Sequence, residues 1–205
     1  MKLYDSRRAP NPRRVRWFMA EKRIEDVEIV DVSIFDGDHK TAVYLSKAGL
    51  PHVPALEIDA ETTITESVAI CRYLESVYPE PNLFGRDAKE IAVIEMWMRR
   101  VEMMVSTPMM MAVRHSHPAM AGIETQVPEV AQNNLGMAER ALKVLDRRLA
   151  ESPFIAADRV TMADILAITA IDFARMIRFR PPKELAHLAR WREEMMARPA
   201  AAGGI

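Results

Sequence analysis

Apolar positions change their period part-way along the chain. Over residues 1–78, short β-branched runs alternate with segments whose apolar residues recur every three or four positions; from residue 88 onward only the helical spacing persists. The runs Lys2 to Asp5, Val27 to Val32, Ala55 to Ile58 and Thr62 to Thr65 predict four short strands. Between them, Pro12 to Lys22 sets Val15, Phe18 and Met19 on one helical face, and Ser67 to Val77 does the same with Ile70, Cys71 and Leu74. A shorter helix is expected over His39 to Leu45. The order β-α-β-α-β-β-α, closed by right-handed crossovers, predicts an α/β unit with helices on a small mixed sheet.

Residues 79–87 read as a linker, because Pro79 and Pro81, with Asn82, Gly85 and Asp87 after them, cannot extend the preceding helix. Residues 88–205 then form an all-helical second domain, with helices predicted over Ala88 to Met111, Val130 to Ala150, Met162 to Arg178 and Glu184 to Arg198. One start is well marked. Thr161-Met162-Ala163-Asp164 has a capping-box pattern with Asp in the usual Glu position, and Val160 and Ile165 stand where a hydrophobic staple would close.

Charge narrows the partners. With 28 Lys and Arg against 29 Asp and Glu in 205 residues, the net charge is −1, which argues against nucleic acid as the main ligand. The uncharged run from Met103 to Val113 is too short for a bilayer span and contains Pro108, so no membrane role is expected. Met1 to Arg8 lack the apolar stretch of a signal peptide, which points to the cytoplasm. Cys71 is the sole cysteine, excluding an intramolecular disulfide, a CxxC pair and a cysteine zinc cluster, and no metal is expected.

Three short stretches could carry chemistry. Ala9-Pro10-Asn11-Pro12-Arg13-Arg14-Val15 joins the first strand to the first helix, with Asn11 suited to N-cap and Pro12 to the first helical position. This is either a well-made helix start or, since a helix N-terminus offers free N–H groups and partial positive charge, a seat for an anion or thiolate. Arg7, Arg8, Arg13, Arg14 and Arg16 crowd the same end and invite an acidic small molecule. In His52-Val53-Pro54-Ala55-Leu56, a cis Pro54 would turn the Val53 N–H and C=O outward to pair with an extended peptide; a trans one would be only an edge device. Thr65-Glu66-Ser67 opens the third helix, with Thr65 as candidate N-cap. Glu66 and Ser67 could form a socket for the ammonium and carboxylate of an amino-acid head group.

Taken in order, LYxxxxxPNxxRV, VPALE, TESxAIxxYL and TxAD resemble the cytosolic glutathione transferases, from Leu3 to Arg198-Pro199. The resemblance implies a thioredoxin-like N-terminal domain, an all-α C-terminal domain contributing the electrophile site, a homodimer, and glutathione as co-substrate with no metal. It assigns Val53 to main-chain pairing with the cysteinyl part of glutathione and makes Pro54 a cis-proline. Glu66 and Ser67 take the γ-glutamyl end, and His39, Lys40 and His52 fall near the glycyl carboxylate.

The first motif departs from the commoner pattern. Ala9 stands where theta-like classes carry an activating serine, threonine or cysteine, and Ala9-Pro10-Asn11 is closer to the bacterial nu-type Thr-Pro-Asn. The resemblance therefore makes Asn11 the catalytic residue, with the Arg13 N–H and the arginine field as further donors to the thiolate. Eight of the 15 methionines lie between Met96 and Met120, an adaptable apolar lining for an electrophile, with His115 and His117 beside them. The leading expectation is detoxifying conjugation of glutathione to small apolar electrophiles. Reduction of disulfides through two bound glutathiones, or a non-catalytic binding protein on the same fold, are the alternatives.

Overall fold

The computed structural model describes residues 1–203. By its internal contacts the chain forms two units, Met1–Asn82 with the segment from Arg198 onward, and Leu83–Ala197.

The first unit is a four-stranded mixed sheet with helices against it. Strands β1 (Lys2–Asp5), β2 (Glu28–Asp31), β3 (Ala55–Glu57) and β4 (Thr63–Thr65) lie in the order β2-β1-β3-β4. Strand β1 pairs parallel with β2 and antiparallel with β3, which pairs antiparallel with β4. Strand alternation divides the side chains between two faces. Leu3 and Leu56, register partners, are wholly buried, as are Val15 and Phe18 of α1 (Pro10–Lys22) and Ile70 and Leu74 of α3 (Ser67–Val77). Tyr4 turns the other way and packs with Val32, Tyr44, Ala48, Val53 and Ala55, the cluster that seats α2 (Ala42–Ala48).

Helix α2 begins later than the periodicity suggests. Asp38–Lys40 is a single 3-10 turn, and Thr41 caps α2 by accepting from the Tyr44 N–H at 3.3 Å. A threonine that satisfies an orphan donor outcompetes continuous helix through it.

The helical periodicity predicts that Arg198 onward closes the helical domain; in the structure α9 (Pro199–Gly203) packs on α1 within the first unit. Glu21 fixes it, accepting from Arg198 Nε at 2.7 Å and Nη2 at 2.8 Å.

The second unit is helical throughout: α4 (Ala88–Val101), α5 (Thr107–Arg114), α6 (Pro128–Glu151), α7 (Met162–Phe173) and α8 (Ala186–Ala197). A wide π turn over Glu102–Ser106, in which the Thr107 N–H donates to the Glu102 C=O, joins α4 to α5. Pro108 explains it. Proline has no N–H for the carbonyl four residues back and its ring crowds that group, so the widened turn lets one continuous rod pass the position. Helix α7 is buried from Met162 to Ile171 and packs against α4, α5 and α8. Its capping box is present as the pattern predicts, and Val160 and Ile165 are buried. At the head of this unit Gly85 has φ +108°, and a Cβ there would lie 2.6 Å from the Ile91 nitrogen, so the turn into α4 requires glycine. No helix among the described residues is long and apolar enough to cross a membrane.

Candidate functional site

Sheet register brings the three motifs to one end of the first unit. Tyr4 pairs with Ala55, and Ala55 with Thr65, so the chain leaving β1, the chain entering β3 and the chain leaving β4 meet along one row. Ala9-Pro10-Asn11, Val53-Pro54 and Glu66-Ser67 are carried by these three crossings. Since β2 runs parallel to β1, the segment after it, with His39 and Lys40, departs from the same end.

Helix α1 starts two residues earlier than Asn11 and Pro12 suggest. Ala9 is the N-cap, without a side-chain bond, and Pro10 holds the first helical position. Proline suits that position because its fixed φ is helical and its missing N–H is an orphan there anyway. Asn11 therefore lies inside the first turn and is not the cap. The Arg13 N–H donates to the Ala9 C=O at 3.2 Å, so it is not free for a ligand. Pro10 and Pro12 have no N–H. Asn11 is half-buried, and neither its N–H nor its side-chain amide has a hydrogen-bond partner among the described residues.

The arginine cluster disperses. Arg16 pairs with Asp5 and donates to the Arg7 C=O at 2.8 Å; burial still pushes the Asp5 carboxyl above its usual range, against the pull of Arg16. Arg13 lies over the Trp17 ring at 5.6 Å. Arg14 is buried, and its Nη1 donates to Ser67 Oγ at 2.7 Å. Arg7 and Arg8 remain exposed.

The Val53-Pro54 peptide is cis, and the Val53 N–H and C=O have no hydrogen-bond partner among the described residues. The loop before it is held by Tyr44, whose hydroxyl donates to the His52 C=O and whose ring meets Tyr4 edge-on at 5.9 Å. Burial pushes the Tyr44 hydroxyl up to about 12, so it stays a donor. Sequence reading missed Tyr44, which shows there only as one apolar position in a weak helix.

Glu66, not Thr65, is the N-cap of α3; it sits at φ +65° with no side-chain cap, while Thr65 belongs to β4. Glu66 is exposed and Ser67 buried, so the helix N-terminus presents a carboxylate outside and a hydroxyl inside. His39 is buried on its 3-10 turn with Nδ1 lacking a partner among the described residues. Burial first, then Lys40 and His52, hold its pKa below the usual value, so the ring is neutral. Lys40 and His52 are exposed.

Elsewhere, Cys71 is buried on α3 and burial pushes its thiol far above the usual range, which removes it as a nucleophile. His115 and His117 have structural duties: Nδ1 of the first accepts from the Val127 N–H, and Nδ1 of the second from the Ala119 N–H, each at 3.2 Å. No group of three or more acidic, His or Cys residues suited to a metal occurs among the described residues.

Comparison with known proteins agrees on one family. The models of the glutathione S-transferase N-terminal and C-terminal domains match residues 9–77 and 101–199. Glutathione S-transferase 2 of Saccharomyces cerevisiae is 32% identical over 204 residues, covering 98% of this chain and 87% of that protein. The crystal structure of Gtt2 from the same yeast superposes with a TM-score of 0.93 at 31% identity, covering both chains completely, 100% and 100%. A glutathione S-transferase domain-containing protein of Marinobacter aquaeolei reaches a TM-score of 0.93 at 36% identity, with 98% and 99% covered.

Proposed function

Because the chain belongs to the glutathione S-transferase family, we propose that its first unit holds glutathione along the row defined by Val53, Glu66 and Ser67 and presents the sulfur to the start of α1. The chain is an enzyme of that family, with glutathione as co-substrate. The observation that carries the reading is the unpaired main chain of Val53, which offers one donor and one acceptor to an extended peptide between the α1 and α3 N-termini. Ser67 and the α3 N-terminus receive the γ-glutamyl carboxylate and Glu66 its ammonium. Lys40 and His52 face the glycyl carboxylate, with neutral His39 beside them.

Glutathione brings its own nucleophile, so the protein's task is to favour thiolate over thiol. Asn11, in the first turn of α1, has main-chain and side-chain donors without a partner among the described residues, and it supplies the hydrogen bond to sulfur. The reaction is conjugation to small apolar electrophiles, in the manner of a detoxifying transferase. Such a substrate suits the methionines of the helical unit, of which Met96, Met103 and Met104 are exposed and Met110 and Met111 half-buried.

A second reaction fits the same site: disulfide reduction by two glutathiones, as in nu-type enzymes, needs no protein cysteine, so the buried Cys71 is no obstacle to it. Calorimetric titration with reduced and with oxidised glutathione decides between them. Conjugation requires one reduced glutathione per chain; comparable or tighter binding of the oxidised form, with turnover of a small disulfide, favours reduction. Absence of binding by either rejects both.

A homodimer is part of the proposal, and sedimentation tests it. Arg99, Arg100 and Glu102, at the end of α4 and just beyond it, are engaged locally: Arg99 pairs with Glu102, and Arg100 lies over the Trp97 ring at 4.8 Å. A cytoplasmic location completes the proposal.

A further inference from the structure

Arg14 is a cation sealed inside the first unit. It is 4% exposed, stands in the second turn of α1, and reaches Ser67, 53 residues away and 4% exposed, at the first position of α3. Neither helix has an acidic residue in its first turn. A cation buried beside helix N-termini opposes their dipoles and costs folding free energy.

The hydrogen-bond inventory gives the cation a use. A guanidinium has donors and no acceptor, so in this contact Ser67 Oγ must accept, and its own hydrogen is left to donate elsewhere. A serine in the first turn of a helix otherwise tends to bond to nearby backbone. Held by Arg14, the hydroxyl is a dedicated donor at an end of the helix that already favours negative charge. We propose that Arg14 is a positioning residue for glutathione recognition: its guanidinium fixes the Ser67 hydroxyl as a donor to the γ-glutamyl carboxylate and supplies a buried countercharge behind it. The inference rests on the reading above that Ser67 holds that carboxylate.

The test uses the full chain and two ligands, glutathione and γ-aminobutyryl-cysteinylglycine, which lacks only the α-carboxylate in question. Wild type is expected to bind glutathione much the tighter; equal binding of the two sinks the underlying reading of Ser67, and the Arg14 inference with it. Given discrimination in wild type, Arg14→Gln is expected to weaken glutathione about tenfold while leaving the analogue unchanged. KM for glutathione rises with it and kcat at saturation holds. Equal weakening of both ligands, or discrimination kept at the wild-type level, makes Arg14 merely structural and overturns the proposal. Should Arg14→Gln fail to fold, Arg14→Lys retains a buried cation but not the fork. Its compact ammonium is expected to lose roughly threefold of the discrimination, and undiminished discrimination there overturns the proposal equally.

Discussion

The indole Nε1 of Trp191 donates to the carboxylate of Asp164 at 2.9 Å, linking α8 to the start of α7 through a group fully buried in the helical unit. The same carboxylate accepts from the Ile155 N–H at 2.9 Å and from the N–H and hydroxyl of Thr161, each at 3.0 Å. One side chain thus ends a loop, caps a helix and orients a tryptophan. Burial pushes its pKa up while these donors pull it down.

Asp164→Ala leaves four donors buried without an acceptor, and each such donor costs about 1–3 kcal/mol. With partial relaxation, a loss of roughly 3–5 kcal/mol is expected, at the severe end for one substitution. Urea unfolding followed by circular dichroism measures it. A loss below about 1 kcal/mol would mean that water replaces the carboxylate and that the unit does not depend on this node.

Glu90 gives a pH-dependent case. Its hydrogen bond from Arg159 is the main reason its pKa falls from 4.5 to about 2, with the Arg86 N–H, at 2.8 Å, adding to it. A carboxylate whose folded pKa is depressed contributes stability that is whole above its unfolded pKa and disappears as pH falls through the folded one. The window here runs from 4.5 down to about 2. Glu90→Gln should therefore be less stable than wild type at neutral pH, by under about 1 kcal/mol after solvent screening. The gap should shrink steadily on acidification below about pH 5. Urea midpoints at several pH values test this; a gap that stays constant would assign the effect to packing.

Much of this architecture is legible in the residues alone. The bounds of α3 follow from a polar start, apolar residues at Ile70, Cys71 and Leu74, and Pro79 beyond the end; the α7 capping box follows from Thr161 and Asp164. Local signals of this kind act within a few residues of their cause. What escapes them is set by partners far along the chain. Arg14 reads as one of five surface arginines until α3 brings Ser67 against it. Tyr44 gains its role only when the turn before β3 places the His52 carbonyl above it. At the start of α1 two good signals compete, an asparagine suited to capping and a proline suited to the first helical position, and Pro10 wins over Asn11.

Helix α9 belongs to the same class, because its place depends on Glu21 in α1. That carboxylate is almost fully buried, accepts both nitrogens of Arg198 and also takes the Trp17 Nε1–H at 3.2 Å. Bidentate charge-assisted bonds are stronger than exposed pairs, so Glu21→Gln is expected to cost about 1–2 kcal/mol. The specific signature is local: amides of α9 should exchange with solvent faster while those of β1 and β3 keep their protection. Equal acceleration throughout the first unit would show that Glu21 supports the core generally and not the docking of α9.

Asn11 carries the chemical prediction. With Pro10 and Pro12 lacking N–H groups, Ala9 lacking a side-chain donor and the Arg13 N–H already given to Ala9, its amide is the first-turn amide available to a thiolate, beside the Arg13 guanidinium. A charge-assisted hydrogen bond is worth roughly 1.5–3 kcal/mol, which corresponds to about one to two pKa units of a bound thiol. Asn11→Ala should raise the pKa of enzyme-bound glutathione by that amount, read as thiolate absorbance against pH, and lower kcat at neutral pH while affinity for an S-alkylated glutathione holds. The loss should diminish at alkaline pH, where the thiol ionises without help. An unchanged thiol pKa in Asn11→Ala would remove Asn11 from the chemistry and leave the field of the α1 N-terminus and its arginines as the source of activation.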